Sequence, residues 1–192
     1  MARPLVEVRD AGPDDIPDLV ALWGELRAEA NGGRSSLAGS VSPEVRLEEA
    51  LDDPAIRLLV ATLAGEPVGM AVLTEGAPTP LAESRAVHLN YVVVRRRARR
   101  RGVGRALVAA AADYAEEVAA SHVMVSVYPA LREANRFYAR LGFAPFVVRR
   151  AAPAAALRRK LSPDPRPARI NGTTLSQRRP ARRPLLRREV GR

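Results

Sequence analysis

No cysteine occurs among the 192 residues of the chain. That excludes a disulfide framework, a thiolate metal site and an acyl-cysteine intermediate, and it fits a reducing compartment. Lysine is nearly absent: Lys160 is the single one. A phosphate-binding P-loop needs Gly-Lys-Ser/Thr after its glycines, and no such tripeptide is present. Aromatic residues are only 4%, which leaves few rings for stacking nucleic-acid bases. No apolar run approaches the roughly 20 residues of a membrane span. The first residues, Met1-Ala2-Arg3-Pro4-Leu5, lack the apolar core of a signal peptide. A cytoplasmic protein without membrane contact is expected.

What is present is a hydrophobic fraction of 47%, enough for one domain with a core. The net charge of +10 is uneven. Residues 162–192 hold nine arginines against Asp164 and Glu189. With the abundant alanine and proline, the near-exclusive use of arginine matches the codon bias of a GC-rich genome. A basic chain nonetheless attracts polyanions over long range.

The chain is organised around residues 85–120. Val87-His88-Leu89-Asn90-Tyr91-Val92-Val93-Val94 is apolar and rich in β-branched residues, which predicts a mostly buried strand. A basic elbow follows, Arg95-Arg96-Arg97-Ala98-Arg99-Arg100-Arg101, then Gly102-Val103-Gly104. Beyond it Leu107, Val108, Ala111, Tyr114, Ala115 and Val118 recur at helical spacing. Strand, glycine turn and helix together make an anion site. The first N–H groups of a helix lack intrahelical partners, and the macrodipole places about +0.5 charge there. Glycine lets a phosphate approach the backbone. A dinucleotide-binding glycine fingerprint would need a small residue at position 107, which is Leu107.

The flanking order is β-α-α-β-β-β-α-β-α-β-β, with no internal repeat. Leu5-Val6-Glu7-Val8 alternates as a first strand. Asp14 is the expected cap of a helix reaching about Ala30, with Ile16, Leu19, Val20, Trp23 and Leu26 inward. Residues 31–36 are an expected flexible loop. Ser42 caps a second helix with Pro43 in its first position, ending near residues 52–54. Strands over 56–63 and 68–73 form a hairpin. A strand with Val123, Val125 and Val127 ends at Pro129. A helix over 132–141 stops at Gly142. Residues 146–149 and 155–161 are expected to close a last hairpin.

Two segments carry a resemblance. Arg99-Arg100-Arg101-Gly102-Val103-Gly104 resembles the Arg/Gln-x-x-Gly-x-Gly/Ala pyrophosphate loop of the GNAT superfamily of N-acyltransferases. Asn135-Arg136-Phe137-Tyr138-Ala139-Arg140-Leu141-Gly142-Phe143 is similar to that family's Asn-x-x-Phe-Tyr-x-x-x-Gly-Phe segment. The resemblance covers about residues 4–161. It implies an α/β (α+β) fold, a mixed and mostly antiparallel central sheet flanked by helices in a single domain over 1–161. The activity implied is transfer of an acetyl or other acyl group from acetyl-CoA to a primary amine by direct attack, without a covalent enzyme intermediate. No metal is implied.

The resemblance also assigns residues. The backbone of Arg99, Arg100, Arg101, Gly102, Val103, Gly104 and Arg105 would hold the pyrophosphate, with elbow arginines reaching the 3′-phosphate as charge-assisted donors. Arg95, Arg96 and Arg97 are more simply solvated surface charges. The edge of Val92, Val93 and Val94 would pair with the pantetheine arm, with an oxyanion donor at the N–H of Val92 or Val93. Asn135 would touch pantetheine, and Tyr138 would protonate the leaving thiolate. Phe137 and Phe143 belong to the core. For the base His88 is the first candidate because histidine is the residue type ordinarily suited to proton transfer near neutral pH. Glu75, Glu83 and Tyr91 are others, and water is the alternative to all of them. The acceptor, a small molecule or a protein, is not specified by any motif in the loops at 31–41 and 74–84. A homodimer remains open.

Residues 162–192, rich in arginine and proline and without apolar periodicity, form an expected disordered tail. The rival function is nucleic-acid binding on a degenerate acetyltransferase fold, with elbow and tail as the basic patch, or a weak tail contact to nucleic acid or an acidic partner. As an appended arm, the tail should be dispensable. Deleting 162–192 should leave the melting temperature and acetyl-CoA affinity nearly unchanged. It should lower the salt dependence of any duplex-DNA binding by about 0.9 in log–log slope for each phosphate that the tail no longer neutralises. Calorimetry and DNA titration at several salt concentrations check this.

Overall fold

The structure, a computed structural model, describes residues 5–30 and 41–161. The expected loop at 31–36 and the tail at 162–192 lie outside the described residues. The chain divides into two compact units, 1–144 and 145–192.

In the first unit β1 (Val6–Asp10) is followed by a short 3-10 turn (Pro13–Asp15), α1 (Ile16–Ala30) and α2 (Pro43–Asp52). Then come β2 (Ile56–Leu63), β3 (Glu66–Gly76), β4 (Ala86–Val94), α3 (Val103–Glu117), β5 (His122–Val125) and α4 (Arg132–Arg140). The five strands form one sheet in the order β1-β2-β3-β4-β5. Every pairing is antiparallel except the last, β4 with β5. The mixed, mostly antiparallel sheet flanked by helices is the expected fold class.

The sheet is covered on both faces. On one, Leu59, Ala61, Leu73, Val87 and Leu89 pack with Val103, Leu107, Ala111 and Ala115 of α3. On the other, Leu58, Val60, Met70 and Val93 pack with Ile16, Leu19, Leu22 and Leu26 of α1 and Leu47 of α2. Leu19, Leu22, Leu73, Leu89 and Leu107 are fully buried, each contributing roughly 1.5–3 kcal/mol of transfer free energy. Gly69 lets β3 approach α3. A Cβ there would stand 2.9 Å from Val103 Cγ1 and 3.1 Å from the Val93 carbonyl oxygen. Among the described residues no helix is long and apolar enough to cross a membrane.

Ser42 does cap α2: its hydroxyl accepts the Val45 N–H at 3.4 Å, with Pro43 in the first turn. The expected cap at Asp14 is not formed. The acid that closes the α1 entrance is Asp15, whose carboxylate accepts the Gly12 N–H at 2.8 Å. Pro13 starts a 3-10 turn ahead of α1, so the acid that can reach back is the one at its third position. Arg9 then donates to both Asp15 oxygens at 2.7 and 2.8 Å.

In the second unit the expected hairpin is replaced. Residues 145–153 carry no regular secondary structure and α5 spans Ala154–Leu161. Ala154-Ala155-Ala156-Leu157-Arg158-Arg159-Lys160 are all strong helix formers, and none is β-branched. Pro153 offers its carbonyl to the Leu157 N–H at 3.0 Å and starts the helix.

Asp15 is a testable anchor. Hydrogen bonds from Arg9 first, and then the Gly12 N–H and the Arg9 charge, hold its carboxyl below the usual range against the opposing effect of burial. Its contribution is therefore fully present above the unfolded value of about 3.9 and is lost as pH falls through the lower folded value. Asp15→Asn should cost about 1–3 kcal/mol at pH 7, since Arg9 loses its charged acceptor. In urea titrations the gap between wild type and variant should narrow as the pH drops below about 4.

Candidate functional site

β4 contains one residue too many. Met70 pairs with Val93 and Val72 with Asn90, so Tyr91 and Val92 together oppose Ala71. Tyr91 takes the extra conformation, with φ of 48°. A bulge of this kind interrupts the alternation of faces. Val87 and Leu89 lie in the α3-side core, and after the bulge Val92 and Val94 pack against that same core while Val93 goes to the α1 side. Holding a tyrosine in the left-handed region costs about 1–3 kcal/mol.

The same strand has an open edge. β5 pairs with β4 only from Ala86 to Leu89, and the last bond is from the Ser126 N–H to the Leu89 carbonyl at 3.2 Å. Beyond it the two strands part. The Arg95 N–H donates to the Val68 carbonyl at 2.8 Å, which fixes the phase. N–H groups alternate between the two edges of an extended strand, so Val93 turns its own toward β3, while Val92 and Val94 turn theirs toward the gap. The Val94 carbonyl, on the gap side, accepts Arg99 Nε at 3.1 Å.

The elbow ends in two left-handed residues, Arg100 with φ of 64° and Gly102 with φ of 96°. A side chain at Gly102 would meet open space, so backbone conformation is the reason for glycine there. Gly102 caps α3 with no side-chain hydrogen bond, and its carbonyl accepts the Ala106 N–H at 3.0 Å. The N–H groups of Val103, Gly104 and Arg105 therefore have no intrahelical partner. Val103 is buried in the core and fixes this turn. The result is a bare cationic cradle beside the open strand edge.

Four of the elbow arginines have acidic partners, although the side chains of Arg96 and Arg97 stay exposed on the surface, as expected. Arg95 pairs with Asp18 at 2.5 Å, Arg97 with Glu66 at 3.0 Å, and Arg96 and Arg99 both with Glu29, at 2.9 and 2.7 Å. The acids come from α1 and from the β2–β3 hairpin, sites distant in sequence from the elbow, and of the three expected surface charges only Arg95 is largely withdrawn from solvent. Among the described residues no ion pair forms to Arg100, Arg101 or Arg105. An open depression of about 520 Å³ lies between α1 and the elbow, lined by Glu25, Ala28, Glu29, Arg95, Arg96 and Arg97. Its walls are largely these paired charges, and the cradle residues do not line it.

α4 is seated at the cradle by Phe137, whose ring lies 3.5 Å from where a Gly104 Cβ would stand. Phe137 meets Tyr138 edge-on at 5.0 Å, and Tyr138 meets Phe143 at 5.5 Å. Tyr138 is buried, and that burial pushes its hydroxyl well above the ordinary value of a tyrosine, so it stays protonated at neutral pH. Asn135 donates to the carbonyls of Tyr128 and Leu131 at 3.2 and 2.9 Å, which ties down the loop where β5 leaves the sheet.

The base candidates are scattered. His88 Nε2 lies 3.2 Å from the Ala77 carbonyl oxygen, so as a donor there it leaves Nδ1 as its proton acceptor. Glu75 accepts from the Tyr114 hydroxyl at 2.8 Å and pairs with Arg85. The Tyr114 bond first, then Arg85, holds its carboxyl below the usual range, which weakens it as a base. Glu83 is an exposed loop residue. Tyr91 stands edge-on to Trp23 at 5.9 Å. Sequence reasoning missed Asp18 and Glu29. The available signal was the acids at 18, 25 and 29, which share a helical face opposite the arginine run.

The family model described as the acetyltransferase (GNAT) family matches residues 23–143. Solved structures share the fold. A transcriptional regulator from Bacillus halodurans C-125 is 24% identical with a TM-score of 0.63, covering 77% of this chain and 99% of its own. A ribosomal-protein-alanine N-acetyltransferase from Brucella melitensis biovar Abortus 2308 is 20% identical with a TM-score of 0.63, covering 77% and 98%. A glucosamine-6-phosphate N-acetyltransferase from Arabidopsis thaliana is 18% identical with a TM-score of 0.59, covering 78% and 99%. No curated protein sequence is significantly similar.

Proposed function

Since the chain belongs to the acetyltransferase (GNAT) family, we propose that it transfers an acetyl group from acetyl-CoA to a primary amine by direct attack. The observation that carries this is the uncapped start of α3 beside the open edge of β4. The residues fit an acyl-CoA. The N–H groups of Val103, Gly104 and Arg105 would take the pyrophosphate, with Arg100, Arg101 and Arg105 adding positive charge. The N–H and carbonyl of Val92 and the N–H of Val94 would pair with the amide-bearing pantetheine arm as a strand would.

In the transfer the amine nitrogen forms a bond to the thioester carbonyl carbon, the C–S bond breaks and the thiolate leaves. The Val92 N–H, turned toward the gap next to the bulge, would stabilise the oxyanion. Tyr138 gives its proton to the thiolate. The amine loses a proton to water, or to Nδ1 of His88. The bulge then has a chemical purpose, because it presents backbone donors where an ordinary strand pair would consume them.

Two substitutions test the reading. Gly104→Glu should fold, because its Cβ meets the Phe137 ring at ordinary contact distance. Its carboxylate would face the pyrophosphate, and repulsion of about 4 kcal/mol at roughly 4 Å should weaken acetyl-CoA binding ~100-fold or more in calorimetric titration. Affinity equal to wild type would remove the cradle assignment. Tyr138→Phe keeps the ring and its edge-on contacts. The turnover number should fall by roughly 10²–10⁴, the usual worth of a positioned acid, with acetyl-CoA affinity little changed. Because burial holds the Tyr138 hydroxyl well above the ordinary tyrosine range, the pH–rate profile should keep its shape through the neutral and mildly alkaline range while its height falls, and unchanged turnover with chemistry rate-limiting would return Tyr138 to a packing role.

A further inference from the structure

The arginines of the elbow divide into two sets that composition does not distinguish. Arg95, Arg96, Arg97 and Arg99 are each held by an acid. Arg100, Arg101 and Arg105 pair with no described acid and flank the uncapped N–H groups of α3. The acid that does most of the sorting is Glu29. Its side chain is only 17% exposed although it sits near the end of α1, and it holds two arginines at once. Arg99 Nη2 contacts both Glu29 oxygens, at 2.7 and 2.8 Å. The Nε of the same guanidinium donates to the Val94 carbonyl at 3.1 Å.

One guanidinium thus joins three parts: α1, the last residue of β4, and the turn that opens α3. The Val94 carbonyl lies on the gap edge of β4, the edge on which acyl-CoA would lie. Burial alone would raise the carboxyl of Glu29, yet hydrogen bonds from Arg96 and Arg99 and their charges hold it below the usual range. It is therefore a carboxylate at neutral pH, as a fixed clamp requires. Asp18, eleven residues earlier in α1, lies about three turns away on the same helical face and holds Arg95. α1 is a rail of acids along which the elbow is pinned, and Glu29 is its contact nearest the cradle.

We propose that Glu29 is a positioning residue for cofactor binding. It fixes Arg99 so that the left-handed turn at Arg100 and Gly102 presents the α3 N–H groups and the Val94 edge in register. In this scheme Arg99 is a strut and does not itself hold the phosphate. The proposal rests on the functional reading above, so the wild-type chain comes first in its test.

The whole chain is titrated calorimetrically with acetyl-CoA, and turnover is followed by free-thiol release with an accepted amine. Wild type should bind, and its failure to bind would overturn both the functional reading and the clamp. Glu29→Gln should raise the dissociation constant and the KM for acetyl-CoA about tenfold or more, the usual worth of one hydrogen bond to a charged group. Its kcat at saturating acetyl-CoA should stay within about threefold of wild type, a split that general destabilisation would not produce. Arg99→Met should behave the same way, and the double variant no worse than the weaker single one. Glu29→Asp, which keeps the charge but shortens the reach, should fall between Glu29→Gln and wild type. Wild-type affinity in Glu29→Gln, with wild type binding normally, overturns the clamp alone. So do fully additive losses in the double variant, because Arg99 would then hold the ligand independently of Glu29. If Glu29→Gln folds poorly by stranding Arg99, the double variant takes its place, and wild-type affinity in it overturns the proposal.

Discussion

A single extra residue in β4 sets the geometry on which the proposed function depends. Tyr91 and Val92 stand against Ala71 alone, and the strand that leaves the bulge has exchanged its faces. Had the alternation run on unbroken, Val93 would have entered the α3-side core with Leu89. Instead Val92 and Val94 do so, and Val93 fills the α1 side. The change of phase coincides with the end of the β4–β5 ladder, so a parallel pair becomes a gap lined by backbone donors and acceptors. Unpaired backbone groups are costly in a sheet centre. In the proposed function the pantetheine arm of acyl-CoA would supply the missing strand at this gap.

The second governing feature is how positive charge is distributed. Six arginines lie within seven residues at the elbow, and left unpaired they would repel each other and splay the turn. Acids of α1 and of the β2–β3 hairpin neutralise four of them. What remains unneutralised is concentrated next to the start of α3, where the helix dipole has the same sign. The field at the cradle is therefore shaped by where the negative charges are, and less by how many arginines the chain carries. The same pairing reduces the basic surface on which a nucleic-acid function would depend.

A third contact joins the cradle to the chemistry. Gly104 has no side chain, and the ring of Phe137 occupies the adjoining space. α4 is thereby seated against the first turn of α3, carrying Tyr138 with it. Burial that keeps the Tyr138 hydroxyl protonated also holds its ring between Phe137 and Phe143. At the other end of α3, Arg57 links Asp10 and Glu117 and lies 4.6 Å over the Tyr114 ring. Tyr114 in turn holds Glu75. That network secures the helix and weakens Glu75 as a base.

Much of this is legible in the residues themselves. The apolar spacing of 107, 111 and 115, the run at 87–94 and the Ser42-Pro43 start of α2 determine their elements through local periodicity and local capping, which need no partner from elsewhere. The glycine elbow between strand and helix likewise announces an anion site by backbone chemistry alone. Local propensity also accounts for α5, whose alanine-rich stretch outweighs the hairpin that the order of the preceding elements suggests. The tertiary structure decided everything that depends on two distant segments meeting. It placed the bulge at Tyr91, where β3 and the two cores had to be satisfied together. It sorted identical arginines into those paired with an acid and those with no described acidic partner by laying α1 across an elbow 70 residues away. A side chain's charge is written in the sequence, but whether that charge is free depends on its neighbours in space.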